Sequence, residues 1–106
     1  MEIRSITGQA AHSKGIYREA MSLKMNGWYV MADHIPGFNP PPEFEGYIPD
    51  IYAIKEEYSS IIVIETSLND NQEQNDTLRE YVRHFSNIQF FGWVVNEAGC
   101  RVHKFD

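Results

Sequence analysis

Residues 48–67 consist of two apolar runs, each carrying one carboxylate, joined by a polar turn. The first run is Ile48-Pro49-Asp50-Ile51-Tyr52-Ala53-Ile54, and the second is Ile61-Ile62-Val63-Ile64-Glu65-Thr66-Ser67. Lys55-Glu56-Glu57-Tyr58-Ser59-Ser60 links them. Short β-branched runs bounded by polar residues read as strands, and a short link between two of them reads as a hairpin. The expected strands are 47–54 and 60–66. Aspartate is depleted in strands, and an acid there is rarely buried without a partner. Asp50 and Glu65 therefore require an explanation. Two acids on neighbouring strands of a hairpin can share one divalent cation.

The flanking sequence supplies the layers such a hairpin needs. Residues 8–26 read as a helix, since Ile16, Ala20 and Leu23 fall at i, i+4 and i+7 of one buried face, and Gly27 is a natural stop. Trp28 to Ala32 is a short strand, with Asp33 and His34 as its extension. Residues 35–46 hold four of the five prolines, which predicts a stiff loop. Asn69 or Asp70 is expected to cap a second helix over 70–85, with Glu73 at capping-box spacing from Asp70. Leu78, Tyr81, Val82 and Phe85 form its apolar stripe. Ile88 to Val95 reads as a central strand and Cys100 to Phe105 as an edge strand. The order is α, β, β, β, α, β, β. It predicts an α/β fold, with a mixed sheet of four or five strands flanked by helices and a parallel step between strands 60–66 and 88–95.

Composition narrows the class. The chain has 106 residues, which predicts one domain over 1–106, and its 42% hydrophobic and 23% charged content is that of a globular protein. No apolar run is long enough to span a membrane, and no secretory leader is expected. Cys100 is the single cysteine, so no internal disulfide forms, and a cytoplasmic location is expected. The net charge of −6 argues against indiscriminate nucleic-acid binding, though a local basic patch remains compatible with it.

Pro49-Asp50, the hairpin, Glu65-Thr66-Ser67 and the following helix resemble the core motif of the PD-(D/E)XK nuclease superfamily, the restriction-endonuclease-like fold. Its αβββαβ core order is similar to that read here across nearly the whole chain. The resemblance implies a DNA endonuclease in which Mg²⁺ (or Mn²⁺) is held by Asp50, Glu65 and the Thr66 carbonyl. An acid of the first helix often joins such sites. Glu19 is the candidate here, and a solvated helix position is its alternative. Ser67 stands where the superfamily usually has lysine. Arg79, Arg83, Lys55 and Lys14 are candidate substitutes, none of them compelling by position. Gln74, on the second helix, corresponds to a glutamine some relatives place near the metal. Small members act as dimers, which implies a homodimer. The alternative reading is a binding or assembly module that keeps the fold without the reaction, and Ser67 and the acidic charge favour it.

The remaining residues carry less. His12, His34, His84 and His103 show no ligand spacing with one another or with Cys100. Phe38, Phe44 and Tyr47 serve a core or an interface more readily than base stacking. Two nearby carboxylates also repel. If repulsion dominates, Asp50→Asn leaves the metal-free fold as stable as before or more so, whereas an Asp50 held by backbone amides predicts a loss.

Overall fold

The computed structural model describes residues 6–67 and 71–105. They form α1 (Ile6–Met25), β1 (Tyr29–Ala32), β2 (Ile51–Lys55), β3 (Tyr58–Glu65), α2 (Gln72–Val82), β4 (Ile88–Val95) and β5 (Arg101–Lys104). The strands make one five-stranded sheet in the order β1-β2-β3-β4-β5. Neighbours are antiparallel except β3 and β4, which are parallel. Parallel neighbours need a crossover, and α2 provides it. The element order and the mixed sheet are those expected from the sequence.

β3 explains the layering. Ile62 and Ile64 join Ile16 and Ala20 of α1 in one core, whereas Ile61 and Val63 join Leu78 of α2 in a second. Side chains alternate across a strand, so an uninterrupted apolar run is what a strand covered on both faces requires. Ile51, Ile61 and Val63 are 0% exposed and Ile64 1%. Each contributes about 1.5–3 kcal/mol on burial.

Local chemistry sets the boundaries. α1 ends at Gly27, whose φ of 88° is left-handed. The Gly27 amide donates to the Lys24 carbonyl (3.1 Å) and the Trp28 amide to the Leu23 carbonyl (3.1 Å), a Schellman closure. Leu23 and Trp28 both pack on the α1-side core. β2 begins at Ile51, not at residue 47, because Pro49 has no amide to donate and Asp50 leaves the ladder. β3 begins two residues earlier than expected, at Tyr58. The Ser59 amide donates to the Asn87 carbonyl (3.0 Å) and Ser59 pairs with Ile88, so the parallel ladder overrides the polar character of Ser59 and Ser60. At the α2 N-terminus, Asn71 takes the cap position in left-handed conformation without a side-chain cap bond. The expected caps Asn69 and Asp70 lie outside the described residues.

The proline-rich loop packs down onto the sheet. Phe38 lies against the α1-side core, and Phe44 and Tyr47 lie against the other. The Phe44 ring meets Tyr52 and Tyr81 at 5.1 and 5.3 Å between centroids. These aromatics cover the sheet, in keeping with a core role.

Candidate acidic site at the end of the hairpin

Asp50 immediately precedes β2 and Glu65 closes β3, so the antiparallel pairing puts both at the same end of the hairpin. Through its side chain, Asp50 takes the part of a strand carbonyl. Its Oδ2 accepts the Ile64 amide at 2.7 Å, continuing the sheet through a side chain. Its backbone carbonyl accepts the Asp33 amide at 2.9 Å. Its Oδ1 lies 3.1 Å from Nε2 of His12, a buried residue of α1. Three segments thus converge on one carboxylate.

Glu65 is only 2% exposed. Its place in β3 has the parity of Ile61 and Val63, which face α2. Asn71 Nδ2 donates to its two oxygens at 3.1 and 3.4 Å. Asn71 thus turns its side-chain N–H donors to Glu65, and its side chain makes no cap bond. Thr66 is half-buried and Ser67 exposed, in the bend that follows. Gln74 is half-buried on α2.

Glu19 is buried at 8% exposure and is held by Arg101 of β5. Arg101 Nε donates to Oε2 at 2.9 Å and a terminal nitrogen donates to Oε1. The guanidinium also stacks on Trp93, 3.9 Å from the ring centre. Glu19 is thus not a solvated helix position, and its carboxylate is paired with Arg101. It closes α1 against the sheet edge.

Sequence reasoning missed His12, Asn71 and Arg101. His12 had a signal: it lies one turn before Ile16 and extends the buried stripe of α1. Glu19 falls on the same stripe, three residues after Ile16. Asn71 and Arg101 had none, since neither carries a pattern that names its partner.

Among the described residues no group of three or more His, Cys, Asp or Glu is placed to hold a metal ion. A Mg²⁺ site asks for less, using one or two carboxylates with water and phosphate completing the shell. On donor chemistry Asp50 fits, since it commits two of about four acceptor positions. Its side chain is 15% exposed. Glu65 ends the adjacent strand on the α2-facing parity, whereas the Asp50 carboxylate lies against His12 of α1. Glu19 does not fit, because the Arg101 guanidinium already neutralises it and sets a fixed positive charge where the ion would stand.

No helix among the described residues is long and apolar enough to cross a membrane. Comparison of the chain with protein-family models, curated proteins and solved structures found no match.

Proposed function

We propose that this chain is a restriction-endonuclease-like domain that hydrolyses DNA phosphodiesters as a Mg²⁺- or Mn²⁺-dependent endonuclease. The observation that carries the reading is the placement of two acids at one end of the β2–β3 hairpin, within an α-β-β-β-α-β order. Asp50, Glu65 and the Thr66 carbonyl would hold the cation. When bound, the cation supplies charge relief at the phosphate and an activated water. His12 and the Ile64 amide fix the Asp50 carboxylate, and Asn71 fixes that of Glu65. Such outer partners orient ligands for a metal. The protein would act in a reducing cytoplasm, as a homodimer presenting two sites.

A second reading is favoured by a specific pair of observations. Arg101 neutralises the acid of α1, and Ser67 brings no cation to the hairpin end. A binding or assembly module that keeps the fold without the reaction has these features. A nicking assay on branched, single-stranded and duplex DNA separates the two. The enzyme cuts at least one substrate with Mg²⁺ or Mn²⁺ and loses this in Asp50→Asn and Glu65→Gln. No cutting with either metal, together with no metal-induced rise in melting temperature, leaves the module reading standing.

A further inference from the structure

The cations of this acidic chain are unevenly neutralised. On α2, Arg79 pairs with Asp76 and Arg83 with Glu80. On the opposite side, no acid among the described residues pairs with Lys14 or Arg18 of α1, or with Lys104 of β5. All three are exposed. α1 has one acid, the buried Glu19, and β4 and β5 have none. Glu97 is the one exposed acid on the intervening turn.

The fold joins these cations into one band. A Cβ on Gly99 would stand 2.6 Å from Lys14 Cβ, so the β4–β5 turn abuts α1 there. One turn further along α1, Arg18 Nε donates to the Ala98 carbonyl at 3.2 Å. Next comes the Arg101–Glu19 clasp, and then Lys104 at the far end of β5. Beneath Lys104 lie the half-buried Phe91 and Trp93, with its Nζ 5.3 and 5.9 Å from their ring centres. A row of cations beside aromatic faces is the chemistry that grips a single nucleic-acid strand: phosphates meet ammonium and guanidinium groups, and bases stack on rings or on the guanidinium plane. An acidic peptide would match the charge but has no use for the rings.

We infer that the α1–β5 face, through Lys14, Arg18 and Lys104 with Trp93 and Phe91, binds a single nucleic-acid strand. The inference rests on the nucleic-acid reading above, but it concerns a surface other than the hairpin end.

The test is anisotropy of a labelled oligothymidylate of about 12 nucleotides, inside the range of about 4–16 that one small fold covers, titrated with the full chain at several salt concentrations. Three unpaired cations predict a log–log salt slope of about −2, at about −0.7 per phosphate contact on single strands. Lys14→Ala and Lys104→Ala each reduce its magnitude by about 0.7, while Arg83→Ala leaves it unchanged. Intrinsic fluorescence is quenched on binding, and Trp93→Phe removes the quench while Trp28→Phe keeps it. Polyglutamate that competes as well as oligothymidylate overturns the inference in favour of an acidic protein partner. Equal binding of blunt duplex without a Trp93 quench overturns the single-strand assignment. A salt slope untouched by Lys14 and Lys104 overturns the surface. Binding of the oligothymidylate with no cutting of branched, single-stranded or duplex DNA sinks the nuclease reading and leaves this face intact, and cleavage indifferent to these lysines does the reverse.

Discussion

Asp50 accepts a backbone amide and lies against a histidine, and this reverses the stability sign expected from two repelling carboxylates. Removing its side chain strands the Ile64 amide and His12 together. Asp50→Ala should therefore cost about 1–3 kcal/mol in urea unfolding without metal, whereas Asp50→Asn should cost less, because its carbonyl oxygen can still accept the Ile64 amide. A midpoint unchanged or raised by Asp50→Ala would restore repulsion as the dominant force. Ser67 belongs to the other extreme. It is exposed, so Ser67→Lys should shift stability by less than about 0.5 kcal/mol. If the enzyme reading holds, the added ammonium at the hairpin end should raise cleavage, which a nicking assay reads. The acids themselves were legible in the sequence because they interrupt apolar runs. Their partners were not. The approach of His12 to a strand end is a product of how α1 lies on the sheet, and local pattern does not encode that.

At the scale of elements, legibility followed packing. β4 emerged with the expected ends, because a β-branched and aromatic run between turn residues has one good reading. α1 was fixed by its stripe and by Gly27. Two misplaced boundaries are set by β3 recruiting two serines through β4 and by β2 losing its first residues to Pro49; β1 also stops at Ala32, short of Asp33 and His34, and α2 at Val82, short of residue 85. Gly15 shows how tight the helix–sheet contact is. A Cβ there would stand 2.8 Å from Ile64 Cγ2 and 3.1–3.2 Å from both Val95 methyls. Both neighbours are β-branched and buried, so neither swings aside. Gly15→Ala should lower stability by about 1–3 kcal/mol through overpacking, set against roughly 1 kcal/mol of helix propensity gained. A shifted denaturation midpoint at constant slope is the expected result, and a net gain would mean that α1 lifts off the sheet at little cost.

Across the whole molecule, the Glu19–Arg101 pair ties the first helix to the last strand. Removing one partner of a fully buried pair costs about 3–5 kcal/mol. The Arg101 side chain is 46% exposed, so water tempers the loss. Arg101→Ala should cost about 1–3 kcal/mol, and adding Glu19→Gln should return part of it. A double variant no better than the single one would mean that Arg101 acts by stacking on Trp93. The placement of β3 has one further consequence. Its alternate side chains belong to the two cores, and its amides pair with strands on either side. Neither core can open while the other stays closed without breaking this strand, so both helices should melt in a single cooperative transition. Amides of residues 61–64 should then be the slowest to exchange with deuterium, opening only through global unfolding. The hairpin's acidic end hangs directly from that slowest segment, so it is held by the most persistent part of the chain.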